Sequence, residues 1–300
     1  MKFAVTTPSG NVGSAVATHL LDAGAEVVLL ARDPAKLHRF AERGAMILQG
    51  TQEDPAFVAE ATRGVDALFW VTPPSPVSPD VRAFQSRVGR SGAHAIRENH
   101  IPRVVNLSSI GAHLAEGVGP VSGLHDVEEL LNEVAQNITH LRPAMFYENY
   151  LWQVDSIRNA ASIYMPIPGE VRCPMIASHD VGAVAAERLL NTTWSGHSIR
   201  SLHGPADLSF DEAAAEISIG LGRRIRHVQV PEEAVRRALL ASGMGESMVE
   251  LILEMYRAVA SGIMQAQEVR TSETTTPTTL QEFARDVLAP LVIEAVVPRA

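Results

Sequence analysis

The sequence predicts an α/β fold: a Rossmann-type, doubly wound parallel sheet carrying a smaller, mainly helical C-terminal lobe. Three observations predict it. Strand-like and helix-like segments alternate over the first ~140 residues, the rhythm of such sheets. Candidate strands such as Val27-Val28-Leu29-Leu30 are continuously apolar, as strands covered on both faces are. A glycine turn, Thr7-Pro8-Ser9-Gly10-Asn11-Val12-Gly13, separates the first strand from the first helix.

Taken in order, Lys2 to Thr6 reads as a strand and Val12 to Ala23 as a helix that stops at Gly24. Glu26 to Ala31 is the second strand. Pro34 opens a helix to about Arg43, since proline suits a first helical turn. Ala45 to Gln49 is strand three, Pro55 to Thr62 a short helix, and Asp66 to Val71 strand four. The prolines of Thr72-Pro73-Pro74-Ser75-Pro76 make a loop. Asp80 to Asn99 is a long helix, Arg103 to Leu107 strand five, Gly123 to Gln136 a helix and Ile138 to Leu141 strand six. Beyond residue 150, Ser178 to Leu190 reads as a helix capped by Ser178 or Asp180, followed by a strand from Ser198 to His203. Phe210–Leu221, Pro231–Leu240, Glu246–Ser261 and Leu280–Leu288 are amphipathic helices, and residues 271–279 a polar linker. The expected organisation is a dinucleotide-binding domain over 1–155, with 176–204 returning to it, and a substrate-covering lobe over 156–300.

Composition excludes several functions. A formal charge of −9 disfavours direct nucleic-acid binding, which needs a basic footprint. One cysteine, Cys173, permits neither an internal disulfide nor a multi-cysteine zinc site, and no histidine pair sits at ligand spacing on a helix, so no metal is expected. The lysines are Lys2 and Lys36 alone; neither sits in a P-loop, and no Tyr-x-x-x-Lys pair exists. The apolar stretch Val287 to Pro298 contains Glu294 and is too short to span a bilayer, and the turn formers Thr6-Thr7-Pro8-Ser9-Gly10-Asn11 interrupt the N-terminal stretch, so no continuous signal-peptide core is expected. A cytoplasmic protein without membrane partners is expected.

In such sheets ligands meet the residues just after each strand. Gly10 would let the backbone approach a pyrophosphate and Gly13 would let helix and strand pack closely, with helix N-terminal amides facing the anion. Arg32 ends strand two, where NAD-preferring folds carry an acidic residue. With Lys36 one helical turn on, it suits the 2′-phosphate of NADP. Ser108 and Ser109, at the end of strand five, could face the reactive end of a nicotinamide or cap the following turn. His125, near a helix start, is the candidate proton donor, with a structural histidine as the alternative. The aromatic run 146–152 could pack a core or wall a flat apolar pocket; its place on the cleft edge favours the pocket, formed by Ser109, Phe146, Tyr147, Asn149 and Trp152.

These pieces resemble the NmrA-like family of atypical short-chain dehydrogenase/reductases. The resemblance rests on the glycine turn, Ala31-Arg32-Asp33-Pro34-Ala35-Lys36, Asn106-Leu107-Ser108-Ser109-Ile110-Gly111, Leu141-Arg142-Pro143 with Phe146-Tyr147-Glu148-Asn149, and Thr276-Pro277-Thr278-Thr279-Leu280 with Phe283. It implies a Rossmann domain with a small C-terminal lobe, binding NADP(H) by preference or NAD(H). By position it implies that Thr6, Ser9, Gly10, Asn11 and Val12 hold the pyrophosphate and that Arg32 and Lys36 take the 2′-phosphate. Gly50, Thr51 and Gln52 would flank the adenine, Thr72 and Pro73 the adjacent ribose, and Ser108 and Pro143 the nicotinamide side. Three departures stand out: Thr7 for the first glycine, Thr51 for an aspartate near the adenine, and Val121 for the usual tyrosine. The activity implied is an oxidoreductase passing hydride from NADPH to a flat conjugated acceptor, a quinone, dye or enone. A non-catalytic redox sensor acting through a protein partner is the alternative, and isomerisation or epimerisation on a held dinucleotide a third reading. A homodimer is left open.

Overall fold

The computed structural model describes residues 1–293; residues 294–298 of the C-terminal apolar stretch, and the last residues of the expected lobe, lie outside the described residues. The first half alternates as the sequence predicts: β1 (Lys2–Thr6), α1 (Asn11–Asp22), β2 (Glu26–Ala31), a 3-10 turn (Pro34–Leu37) running into the short α2 (His38–Ala41), β3 (Met46–Gln49), α3 (Pro55–Ala61), β4 (Ala67–Val71), α4 (Val81–Asn99), β5 (Val104–Leu107), α5 (Pro120–Asn132) and β6 (Ile138–Pro143). Then follow β7 (Met145–Phe146), a 3-10 segment (Tyr147–Gln153), α6 (Val154–Ala160), β8 (Ser162–Met165), β9 (Arg172–Ile176), α7 (Ser178–Leu190), β10 (His197–Leu202), β11 (Asp207–Ser209), α8 (Phe210–Leu221) and β12 (Arg226–Gln229). The chain continues through α9 (Glu232–Ala241), α10 (Glu246–Ala260), α11 (Leu280–Phe283), a π-helical turn (Ala284–Leu288) and α12 (Ala289–Ile293).

The main sheet runs β10-β6-β5-β4-β1-β2-β3, and its pairs are parallel. Alternation along each strand builds the two layers around it. Phe3, Val5, Val27, Leu29, Phe69 and Leu141 face Val16 and Leu20 of α1 and Val181, Ala185 and Leu189 of α7. Ala4, Val28, Leu68, Trp70, Val104 and Ile138 face Val58 of α3, Val88 and Ile96 of α4, and Val127 and Leu131 of α5. Chain order reverses between β1 and β4, which places the ligand crevice beyond their carboxyl ends.

The second half is less purely helical than the sequence suggests. It holds two small sheets, β11-β9-β7 and β12-β8, around a core of Tyr147, Tyr150, Met175, Phe210, Ile217 and Phe283. The α9–α10 hairpin forms a separate cluster in which Met244, Met248, Val249 and Leu253 close over Val81 at the start of α4. Residues 271–279 are more than a solvated linker. Thr274 and Thr276 are buried, the His203 amide donates to the Thr274 carbonyl, and the Thr276 amide donates to the His203 carbonyl (both 2.8 Å). Buried threonines are acceptable because backbone and hydroxyl find partners.

One buried polar network spans β5, β6 and α5. Asn106 Nδ2 donates to His140 Nδ1 and His140 Nε2 donates to Asn132 Oδ1, both at 3.0 Å, the tautomer being assigned from this network. Burial pushes His140 down from 6.5 to about 4, so the folded protein holds it neutral. The unfolded chain takes up a proton near 6.5, and between those two values acid favours unfolding. The stability lost to this group should reach about 2 kcal/mol by pH 5, at about 1.4 kcal/mol per pH unit. Denaturant unfolding at pH 7 and pH 5 checks this: His140→Gln should narrow the difference between the two pH values, and an unchanged difference would refute it.

Candidate functional site

The turn after β1 is tight. The Gly10 amide donates to the Thr7 carbonyl (3.0 Å), and Thr7 itself sits at φ 49°, a left-handed conformation unusual for a side-chain-bearing residue. A Cβ on Gly13 would lie 2.3 Å from the Thr7 carbonyl oxygen, so helix and turn approach each other only because that position is glycine. Helix α1 begins after Gly10 with no side-chain cap and no acidic residue in its first turn. Its first amides therefore have no side-chain cap, and the positive end of the helix dipole lies with them.

The other predicted positions divide. Ser9, Gly10 and Asn11 are exposed at this turn and Val12 is buried beneath it. Thr6 is fully buried; its hydroxyl donates to the Phe69 carbonyl (3.1 Å) and accepts from the Val71 amide (2.9 Å), tying β1 to β4. The Thr72 hydroxyl likewise accepts from Trp70 Nε1 (2.9 Å). Both side chains thus serve local structure, and both residues are buried. Arg32 is exposed at the end of β2 with no side-chain partner among the described residues, while Lys36 lies 3.9 Å from Asp33. Gly50 packs against the Phe57 ring, which a Cβ would strike at 2.5 Å; Thr51 caps the following turn through the Glu53 amide. Gln52 Nε2 donates to the Val71 carbonyl (2.8 Å), which fixes it beside the end of β4 next to half-buried Pro73.

On the far side of the crevice, the Ser108 amide donates to the Leu141 carbonyl (2.8 Å), but its buried hydroxyl has no partner among the described residues. Ser109 is half-buried. Pro143 is buried, and its carbonyl accepts from the Ile110 amide (3.1 Å). Between them, Arg142 turns into the protein and grips Glu128 of α5 with two bonds, Nε to Oε1 at 3.0 Å and Nη2 to Oε2 at 2.5 Å. Helix α5 starts at Pro120, earlier than the sequence suggests, because Gly119 (φ 62°) makes the turn and proline takes the first position. His125 consequently lies in the second turn, and its Nδ1 bonds the Ala112 carbonyl (2.9 Å). Val121 belongs to an apolar cluster with Ala112, Val118 and Met264.

The aromatic run also divides. Tyr147 lies in the core of the second half, its hydroxyl donating to the Thr278 carbonyl (3.3 Å) and its ring 5.6 Å from that of Phe283, so it forms no pocket wall. Tyr150 is buried against Met175. Phe146 is half-buried, Asn149 exposed, and Trp152 73% exposed. Glu148 explains its place in the motif: its carboxylate accepts from the Ser178 amide (3.1 Å) and hydroxyl (2.5 Å), so the start of α7 is capped by Glu148 and not by Ser178 or Asp180. Asp180 instead accepts from the amide and hydroxyl of Thr278. Burial raises the Glu148 carboxyl above its ordinary range, with the Ser178 bonds opposing it.

The sequence profile of the NmrA-like family matches residues 1–284, from the glycine turn to the C-terminal threonine segment. The chain belongs to the NmrA-like family. The NAD(P)H azoreductase of Xenophilus azovorans is 30% identical over 250 residues, 83% of this chain and 84% of that protein. Among solved structures, this NmrA-like chain shares its fold with the NADPH complex of quinone oxidoreductase QOR2 from Escherichia coli (TM-score 0.79, 20% identity, 94% and 98% of the chains covered). The NADP(H) complex of Citrobacter sp. triphenylmethane reductase has the same fold (TM-score 0.76, 19% identity, 99% and 100% covered). Among the described residues no helix is long and apolar enough to cross a membrane.

Sequence reasoning passed over His113, on the crossover after β5. Its Nδ1 is buried without a partner, and its Nε2 meets the Gln267 amide nitrogen at 3.2 Å. The one signal available was its proximity in sequence to Ser108-Ser109 at a strand end.

Proposed function

We propose that this NmrA-like protein is an NADPH-dependent reductase of flat conjugated acceptors: quinones, azo and triarylmethane dyes, or enones. The observation that carries this reading is the uncapped N-terminus of α1, drawn against the Thr7 turn by Gly13 and set beside the unpartnered Arg32. Bare amides suit a pyrophosphate and a free guanidinium suits an added phosphate. The amides of residues 11–13 and the exposed Ser9 would hold the pyrophosphate, Arg32 with Lys36 the 2′-phosphate, and Gln52 with the Pro73 loop the adenosine. Ser108 and Pro143 would border the nicotinamide. When bound, the reduced dinucleotide supplies a hydride. The protein's part is to orient the acceptor and exclude water, so the absence of a Tyr-x-x-x-Lys pair does not forbid turnover. The relationship to an azoreductase over four-fifths of the chain supports this reading.

Thermal-shift titration with NADP+, NADPH, NAD+ and NADH, followed by NADPH oxidation against a panel of such acceptors, tests it. A melting point unmoved by all four dinucleotides would overturn dinucleotide binding. Tight binding without turnover on the whole panel would favour the redox-sensor reading, for which Val121 in place of a proton-donating tyrosine is the motivating observation. Dinucleotide retained through purification and seen by mass spectrometry would favour isomerisation or epimerisation. Arg32→Glu should weaken NADPH about 10–100-fold, the worth of one charge-assisted bond, and leave NADH nearly unchanged. Equal losses for both would remove Arg32 from the phosphate site.

A further inference from the structure

We infer that the groove between α8 and β12, in the second half of the chain, is a further ligand site that takes a small phosphate monoester with a hydroxylated body. The site goes beyond the reductase reading and does not depend on it.

The groove follows from how α8 ends. Gly222, at φ 65°, stops the helix in a left-handed turn, and the Arg223 amide donates to the Ser218 carbonyl (3.2 Å). The chain then doubles back. The Ile225 amide donates to the Ser218 hydroxyl (2.8 Å), and the His227 ring lies 5.5 Å from that of Phe210, the first residue of the helix. One face of α8, from Asp211 to Ile219, forms one wall and residues 224–227 the other, around a cavity of about 490 Å³. Small-molecule sites have volumes of this order. Ala214 and Ala215 lie midway along the helical wall, where longer side chains would fill the space.

The basic run Arg223-Arg224-Ile225-Arg226 divides. Arg223 turns away and donates to the Ile157 and Arg158 carbonyls of α6. Ile225 is buried in the core of the second half. Arg224 and Arg226, on either side of it, are exposed and both line the cavity, two residues and so about 7 Å of extended chain apart. Neither makes an ion pair or a side-chain hydrogen bond among the described residues. The acids nearby in the chain are engaged elsewhere, Glu212 with Arg172 and Asp155 with Arg158. In a chain of net charge −9, two unanswered guanidinium groups on one cavity are the feature that calls for a ligand.

The two ends of the groove select its chemistry. Guanidinium groups present forked donors that match phosphate oxygens, and two of them can share one phosphate dianion. Asp211, the acid on the cavity wall, lies two helical turns, about 10 Å, from Ser218 and the arginine end. Its carboxylate accepts hydrogen bonds and repels a second anion. A molecule with one phosphate and hydroxyls at its far end satisfies both ends; a bisphosphate or a dicarboxylate does not.

Calorimetric titration with ribose 5-phosphate tests the site. Wild-type protein should bind it with a Kd below about 1 mM, and Arg224→Ala and Arg226→Ala should each weaken binding about tenfold, the worth of one charge-assisted bond. Both arginines are exposed, so both variants should keep the wild-type melting point. Ala215→Phe keeps the arginines and fills the groove; it should abolish binding. Arg32→Glu, at the end of β2, should leave ribose 5-phosphate binding unchanged. Four results would overturn the assignment: no binding up to about 10 mM, binding that survives the Arg224→Ala/Arg226→Ala double substitution, binding undiminished in Ala215→Phe, or inorganic phosphate binding as tightly as the ester. None of these readouts involves a dinucleotide, so failure of the reductase reading would leave them intact.

Discussion

A Glu128→Gln substitution is expected to lower unfolding stability by about 3–5 kcal/mol, because it leaves the Arg142 guanidinium charged in the interior without its counter-ion. The side chains of Arg142 and Glu128 are 7% and 4% exposed, and both bonds between them are direct. Glutamine fills the same volume, so the loss would come from charge and not from a cavity. Chemical denaturation at pH 7 checks it. The matching control is Arg142→Met with Glu128→Leu, which removes both charges and should recover most of the stability. A loss below about 1 kcal/mol in Glu128→Gln would mean that water reaches the pair, as it does for surface ion pairs. The Leu-Arg-Pro motif would then need another explanation than this tie between β6 and α5.

The glycine turn yields the second large effect, and its two glycines should fail in different ways. In Gly13→Ala the new Cβ would sit 2.3 Å from the Thr7 carbonyl oxygen and 2.9 Å from its carbon, and both are backbone atoms with little freedom to yield. Overpacking of this kind typically costs about 1–3 kcal/mol, and here the displaced element is the start of α1, so dinucleotide binding should be lost along with stability. In Gly10→Ala the Cβ meets only the Thr7 oxygen, at 3.4 Å, and the backbone φ of −82° suits any residue. That variant should keep its melting point within a degree or two and yet weaken NADPH, because under the proposed reading the methyl group would occupy the space the pyrophosphate needs. Unchanged NADPH affinity in a folded Gly10→Ala protein would mean that the turn does not hold the ligand.

The parallel sheet was legible because its strands obey rules that act locally. Val27 to Leu30 is apolar without interruption, and Gly24 and Pro34 mark the ends of neighbouring elements; β1 and β2 are found with the expected bounds. The second half resisted for identifiable reasons. Strand β9 lies between β7 and β11 although it contains Pro174, a residue that argues against an inner strand. Strands β8 and β12 have four residues each, too few to show an alternation. Residues 271–279 look like a solvated loop because threonine is polar, and only the distant partners His203 and Asp180 reveal why they are buried. In the candidate site, Arg32 and the glycines could be read from spacing. The commitment of the Thr6 and Thr72 hydroxyls, the core position of Tyr147 and the orphaned nitrogen of His113 depend on residues far along the chain, and no local pattern carries them.

The place of β10 in the sheet has a consequence for biosynthesis. Strand β6 pairs with β5 on one side and with β10 on the other, and residues 144–196 lie between β6 and β10 in the chain. At about 5–20 residues per second of translation, the hydrogen-bonding edge of β6 stays bare for roughly 3–10 s on the ribosome. An open parallel edge of buried residues is the surface on which nascent chains mispair. Slowed elongation within residues 144–196 should therefore lower the soluble yield more than the same delay placed before β6.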